Sequence, residues 1–396
     1  MKDGIVIIDG VRTGFGAFGG SLGAINATDL GIVAAKGAME RAKVDPAWID
    51  HVIVGNVVPS SIDAAYISRH VGLKAGVPYD KPALTLNRLC GSGQEAIING
   101  ARMILSGEAD FVLAGGTESM SRAPLTNYEA RWGTALGTGL NFQDALWAAL
   151  TDSYNNMPMA ITAENLAVKY EITREDQDRF ALLSQQRAKD AWLSGRMVEE
   201  VVAVPIRDKK GNPNEFVRDE HMRPDTTLEA LAKLAPRFKK DGTVTAGNAS
   251  GIVDGAAMTV ITSRAKAEER GLKPLGRLLS WGHAGVDPDI MGIGPAPAMR
   301  QALQRADLTL DEIDLIEVNE AFAAQTLAVA RELGIDLDIL NVNGGAIAIG
   351  HPLAATGARL TLTILYELRR RNKRYGVASM CIGGGQGIAA VVENLN

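Results

Sequence analysis

Residues 38–54 (AMERAKVDPAWIDHVIV) and residues 302–318 (ALQRADLTLDEIDLIEV) are two versions of one pattern. A shift of 264 positions puts Ala38, Arg41, Ala42, Ile49, Asp50 and Val54 on Ala302, Arg305, Ala306, Ile313, Asp314 and Val318. The apolar Met39, Val44 and Val52 fall on Leu303, Leu308 and Ile316. Each copy reads as helix, turn and strand. The same shift carries Gly93 onto Gly357. Chance likeness between two Ala-rich helices is the alternative, and the later glycine match weighs against it. Two similar α/β halves are expected.

Outward from these units, β-branched runs alternate with Ala-rich stretches of helical period. Residues 5–8, 52–54, 111–113, 313–318 and 377–380 read as strands, the first opening from Met1-Lys2-Asp3-Gly4. Several lack polar alternation, which predicts a parallel sheet covered on both faces. Between the halves, from about 121 to 246, the composition changes. Trp132, Trp147 and Trp192 appear, residues 171–187 form a charged segment expected to be an exposed helix, and residues 207–240 are polar and interrupted by proline. This reads as an inserted loop domain able to cover a site made by the two halves. The expected division is 1–272, insertion included, and 273–396.

At 396 residues the chain exceeds one hydrophobic core. Forty-one basic against 46 acidic side chains, a net charge of −5, argue against a nucleic-acid partner. No window approaches the roughly 18 apolar residues of a membrane span. The opening residues resemble neither a signal nor a transit peptide, so a bacterial cytoplasm is expected, or the mitochondrial matrix if the source is eukaryotic. Two cysteines, Cys90 and Cys381, are too few for a disulfide scaffold or a zinc cage, which points to a reducing compartment and no metal. The 43 glycines exceed the usual roughly 7% and cluster beside apolar runs, as tight strand-to-helix turns require.

Four of those clusters carry reactive side chains. In residues 84–93 an apolar run leads into Cys90, Gly91 and Gly93 permit a sharp turn, and Ile97, Ala101, Ile104 and Leu105 recur at helical spacing. Cys90 then sits at a helix N-terminus, whose positive end would favour the thiolate; a buried, inert cysteine is the other reading. In residues 343–352 His351 occupies the equivalent turn of the second half, where it could take the thiol proton or merely cap the helix. Cys381 follows a strand and precedes Gly383-Gly384-Gly385, which bring backbone N–H groups close to a ligand without the spacing of a phosphate loop. In residues 317–323 a strand ends at Asn319 and Glu320, which either cap the next helix or orient a water or carbonyl.

Taken together, residues 90–93, 115–120, 242–251, 318–322, 350–352 and 381–385 resemble the thiolase family over nearly the full length, and most closely its degradative 3-ketoacyl-CoA members from bacteria and mitochondria. The resemblance implies duplicated α/β halves in a layered αβαβα arrangement. It implies an acyltransferase of fatty acid β-oxidation that cleaves 3-ketoacyl-CoA with CoA, reversibly, to acetyl-CoA and a shortened acyl-CoA. Cys90 would attack the keto carbon and hold the acyl group as a thioester, and His351 would take its proton. His351 and a water held by Asn319 would stabilise the enolate, Cys381 would protonate it, and the N–H groups of Cys90 and Gly383 would hold the tetrahedral oxyanion. CoA enters as substrate, with no permanently bound cofactor. Arg223 would lie against the adenine, Phe238, Ala246, Ser250 and Gly251 along nucleotide and pantetheine, and Met159, Met291 and Phe322 around the pantetheine end and acyl pocket. A homodimer or homotetramer is implied.

The chain departs from family patterns at three places. Pro158 stands where biosynthetic acetoacetyl-CoA members carry histidine. Ala354, Ala355 and Thr356 replace glycine and serine after His351-Pro352. Ala230 replaces a serine near CoA. Two other functions compete: Claisen condensation of two acetyl-CoA, and a non-catalytic acyl-CoA-binding subunit. The second predicts loss of a reactive residue, and all four are present. The basic residues Arg369, Arg370, Arg371, Lys373 and Arg374 suit a helix C-terminus without a partner.

Overall fold

The computed structural model describes residues 4–208 and 210–395; Met1, Lys2 and Asp3, read above as leading into the first strand, lie outside the described residues. The first half supplies strands β1 (Ile5–Thr13), β2 (His51–Gly55), β3 (Ala83–Leu86), β4 (Phe111–Ser119) and β5 (Val253–Ser263). The second supplies β6 (Gly276–Gly285), β7 (Leu315–Val318), β8 (Tyr375–Ile382) and β9 (Gln386–Asn394). One sheet path runs β7-β8-β9-β6-β1-β5-β4-β2-β3. Read from its two ends inward, the order is the same in both halves. Leu340, which bridges Ile316 in parallel, stands where β3 stands in the first. β1 and β6 meet antiparallel in the middle through Ile5↔Leu278, Val6↔Arg277 and Ile7↔Gly276.

The expected parallel sheet is corrected to a mixed one. β2 pairs in parallel with β3 and β4, and β7 with β8, whereas β4 with β5, β5 with β1, β8 with β9 and β9 with β6 are antiparallel. Uninterrupted apolar runs report cover on both faces, not strand direction, and all nine residues of β4 are buried.

Cover comes from three helical layers. Helices α1 (Ala27–Ala42), α2 (Ser92–Ser106), α3 (Met159–Lys169), α4 (Arg174–Leu193), α5 (Pro295–Ala306), α6 (Ala323–Leu333) and α7 (Leu353–Arg371) are the long ones. α1 packs outside the first half-sheet through Leu30, Ala34 and Ala38. α5 and α6 lie outside the second with α3 and α4 against them. α2 and α7 form the central layer, with Ile97, Ala101, Leu362 and Leu365 in one core with residues of both half-sheets. This is the αβαβα arrangement.

The matched residues explain themselves locally. Asp50 accepts from the N–H groups of Asp110 and Phe111, and Asp314 from those of Arg374 and Tyr375, each also held by a lysine. Gly93 and Gly357 let α2 and α7 touch: a Cβ on Gly93 would lie 2.4 Å from the Ala354 oxygen, and one on Gly357 2.5 Å from the Gln94 nitrogen. The basic cluster ending α7 is paired with Glu199, Glu367, Asp314 and Glu393.

Between β4 and β5 the chain leaves the sheet, pairing with it where Val201 and Val202 lie parallel to Arg12 and Thr13 of β1. In that excursion, buried Arg12 of β1 is held by Glu200 and Asp219, the latter bidentate at 2.7 and 2.9 Å. The charged segment at 171–187 is not simply an exposed helix. α4 starts with a capping box, Thr173 to Asp176, and buries Gln177, Asp178, Phe180, Ala181, Ser184 and Gln185. Among the described residues no helix is long and apolar enough to cross a membrane.

Candidate active site

The Cys90 turn is built from hydrogen bonds rather than from glycine flexibility. After β3, the Asn87 side chain accepts from the Leu89 N–H at 2.8 Å, and the Ser92 hydroxyl donates to the Leu89 carbonyl at 2.6 Å while accepting from Arg88 N–H. These bonds hold Leu89 itself in the left-handed region, at φ 47°. The two glycines serve close approach instead, since a Cβ on Gly91 would lie 2.5 Å from Ile382. Cys90 is partly buried, and its sulfur faces the N–H groups of Gly383 and of Cys90 itself. Burial nevertheless pushes the thiol up to about 11, with the Glu118 carboxylate adding to it. The expected thiolate at the helix N-terminus is therefore corrected: desolvation outweighs the helix end and the backbone donors, and the group is a thiol at neutral pH.

His351 stands two residues before α7, as Cys90 stands two before α2. Its N–H donates to the Gly251 carbonyl at 2.9 Å, tying it to the 242–251 segment. Its Nδ1 lies 2.6 Å from the Thr356 hydroxyl, which in turn donates to the Pro352 carbonyl at 3.0 Å. A hydroxyl has one proton, so Thr356 accepts from Nδ1–H, and Nε2 carries the lone pair. That Nε2 is buried, and among the described residues it has no hydrogen-bond partner. Burial, followed by the Arg359 charge, pushes the imidazole down to about 3. It is neutral and can accept a proton.

Asn319 directly follows β7, its N–H donating to the carbonyl of Ser379 on β8, two residues before Cys381. Both amide atoms of its side chain are buried without partners among the described residues. Neither Asn319 nor Glu320 caps the helix that follows. α6 begins only at Ala323 behind Phe322, and Glu320 accepts from Ser184, Asn341 and the Ile347 N–H. Cys381 is 1% exposed and packs with Met159, Met291, Ala321 and Phe322. Burial and the nearness of Cys90 raise its pKa, so it too holds its proton.

His351 lines a cavity of about 130 Å³ together with Met159, Phe238, Ser250, Gly251, Phe322, Met120, Trp147, Pro158 and Leu353 among others. Cys90 packs with Met120 and Leu353, and Cys381 with Met159 and Phe322, so both sulfurs lie behind its wall. Gly383 is buried against Cys90. Met291 touches Cys381 rather than the cavity. Phe238 stacks on Trp147 with ring centroids 6.4 Å apart. Arg223 and Ala246 are exposed and outside the lining, as is Ala230.

Sequence reasoning passed over Trp147, Met120, Leu353 and the role of Thr356, which it registered only as a departure. It also passed over α4 as a scaffold. Asp178 holds Asn248, whose carbonyl accepts from Ala323 N–H, and the Ser250 N–H donates to the Ala321 carbonyl. The recurrence of Gln177, Asp178, Phe180, Ala181, Ser184 and Gln185 at helical spacing was the available signal.

Comparison with known proteins agrees with this arrangement. The family "Thiolase, N-terminal domain" matches residues 5–265 and "Thiolase, C-terminal domain" residues 272–394. The chain is 52% identical over 391 residues to the mitochondrial 3-ketoacyl-CoA thiolase of Homo sapiens, covering 99% of this chain and 98% of that protein. It is 47% identical over 395 residues to the acetyl-CoA acetyltransferase of Allochromatium vinosum, covering 100% of each. The crystal structure of human mitochondrial 3-ketoacyl-CoA thiolase matches with a TM-score of 0.97 at 51% identity, covering 100% of this chain and 99% of that one. Its complex with CoA matches with a TM-score of 0.96 at 51% identity, covering 100% and 98%. By its sequence and its fold alike, the chain belongs to the thiolase family.

Proposed function

We propose that the protein catalyses the reversible thiolytic cleavage of 3-ketoacyl-CoA with CoA, giving acetyl-CoA and a shortened acyl-CoA. The observation that carries this reading is the unprotonated Nε2 of His351, without a partner among the described residues, at a cavity backed by the partly buried Cys90 and the buried Cys381. A thiol held protonated needs a base at the moment of attack, and a neutral imidazole is that base. Cys90 attacks the keto carbon as its proton passes to His351. The tetrahedral oxygen is held by the N–H groups of Cys90 and Gly383, which already face the sulfur. Breaking the carbon–carbon bond leaves an enolate of acetyl-CoA, stabilised by His351 and by a water on the Asn319 amide. Cys381 protonates its carbon and then takes the proton of the incoming CoA thiol, which attacks the thioester; Cys90 leaves and takes back its proton from His351.

CoA enters as substrate along Ser250, Gly251 and Phe238, with Met159 and Phe322 at the reacting end. Arg223 and Ala246 belong to its exposed nucleotide portion, and Met291 supports Cys381 from behind. The CoA complex of the human relative supports CoA as the ligand. Condensation of two acetyl-CoA uses the same groups in reverse, and the acetyl-CoA acetyltransferase relative at 47% identity favours it as the second reading. Residues 1–272 and 273–396 form the two halves, with the insertion at about 121–246 covering the site. The edge of β3, which has no further strand beside it among the described residues and carries the exposed Leu84, supports assembly into dimers, and a second exposed group from Leu125 to Phe142 supports pairing of dimers. Two free thiols suit a reducing compartment, the matrix in a mitochondrial setting.

The test is thiolysis across short, medium and long 3-ketoacyl-CoA, with intact mass recorded after one addition of substrate. An acyl adduct on wild type that is lost in Cys90→Ser is expected. An adduct that persists in Cys90→Ser would overturn the nucleophile, and preference for acetyl-CoA condensation over every thiolysis substrate would favour the second reading.

A further inference from the structure

Glu118 has no part in the steps above, yet its carboxylate is fully buried and gathers four donors. One oxygen accepts from Asn56 Nδ2 at 3.1 Å and Val58 N–H at 3.0 Å; the other accepts from the N–H groups of Val57 and Ala354, each at 3.1 Å. A cradle made only of donors is built for a carboxylate. Each side of it continues to a reactive turn. The Val57 carbonyl accepts from Asn87, whose side chain accepts from Leu89 N–H, directly before Cys90. Ala354 is the second residue of α7, three after His351. Space there is minimal: a Cβ on Gly116 would lie 1.9 Å from the Ala354 oxygen.

We propose that Glu118 is a positioning residue of the thiolase reaction: its carboxylate, bonded on one side to the loop that holds the Cys90 turn and on the other to the start of α7 behind His351, fixes the two turns at one separation. The proposal rests on the reading of Cys90 as nucleophile and His351 as base. The titratable groups facing Glu118 are Cys90, from the turn before α2, and Asp254 of β5; the loop after β2 and the start of α7 present N–H groups and the Asn56 amide. Burial pushes Glu118 itself up to about 7, the four donors opposing.

Glu118→Gln is the test, because in either orientation its NH₂ faces two of the four donors. Removing the negative charge lowers the pKa of the neighbouring thiol, so alkylation of Cys90 by iodoacetamide is expected to reach half its maximal rate at lower pH than in wild type. Loosening the two turns is expected to lower kcat on the order of 10²-fold with KM for CoA nearly unchanged. A purely structural residue would leave the alkylation profile where it is. A folded Glu118→Gln protein with wild-type kcat, or with an unmoved alkylation profile, overturns the proposal. Should circular dichroism find that variant unfolded, Asn87→Ala decides. Asn87 is exposed and its loss cuts only the Cys90 side. A fall in kcat of about 10-fold at constant KM supports the proposal, and unchanged kcat overturns it. A substrate adduct on wild type at a residue other than Cys90 would end the nucleophile assignment, while the alkylation shift would still report whether Glu118 governs that thiol.

Discussion

At His351 the destination of one hydroxyl proton decides which nitrogen is basic. Thr356 sends its proton to the Pro352 carbonyl, and so fixes the Nδ1–H tautomer. Thr356→Val removes that acceptor, and kcat/KM for thiolysis is expected to fall about 10²-fold, whereas Thr356→Ser stays near wild type. Equal kinetics for the two variants would contradict the tautomer argument. The depressed imidazole also links folding to pH. Its folded value is about 3 against an ordinary 6.5, so the unfolded chain binds the extra proton between them. The contribution is whole above 6.5 and is lost as pH falls toward 3. Urea titrations of His351→Asn should therefore show a flatter acid limb than wild type; an identical limb would count against it. The four reactive residues were legible because each sits beside glycines or at a strand end. The left-handed Leu89 was not, because leucine disfavours that conformation and only the Asn87 and Ser92 bonds impose it.

Among the elements, α2 and α7 carry the argument, for each begins directly after a reactive turn. Their contact depends on glycine at 93 and 357. Gly357→Ala places a methyl 2.5 Å from backbone that cannot move aside, and a loss of roughly 1–3 kcal/mol is expected as a lower urea midpoint. An unchanged midpoint would mean that the helices can separate freely. The repeat at 264 positions made this pair visible before any coordinates, since only a shared packing demand keeps two glycines in register. Strand direction was not visible. Apolar runs in β4 and β9 look alike whichever way the neighbour points, because both faces are covered in either case.

For the whole molecule, the proposed dimer is tested at β3, which ends the sheet path among the described residues. Leu84 on that edge is 40% exposed. Leu84→Lys is expected to shift sedimentation toward the monomer while leaving circular dichroism unchanged; an unaltered sedimentation coefficient would place the interface elsewhere. The two halves were legible from the duplication, whereas the hold of the insertion on them was not. It depends on Arg12 reaching Asp219 and Glu200, a contact across some two hundred residues that no local pattern announces.

The crossing of α2 and α7 has one more consequence. The first turns of these helices support the reacting groups and also close the middle of the core, so the catalytic cleft has no melting transition of its own. Loss of enzyme activity on heating should follow the same curve as the collapse of the near-ultraviolet signal.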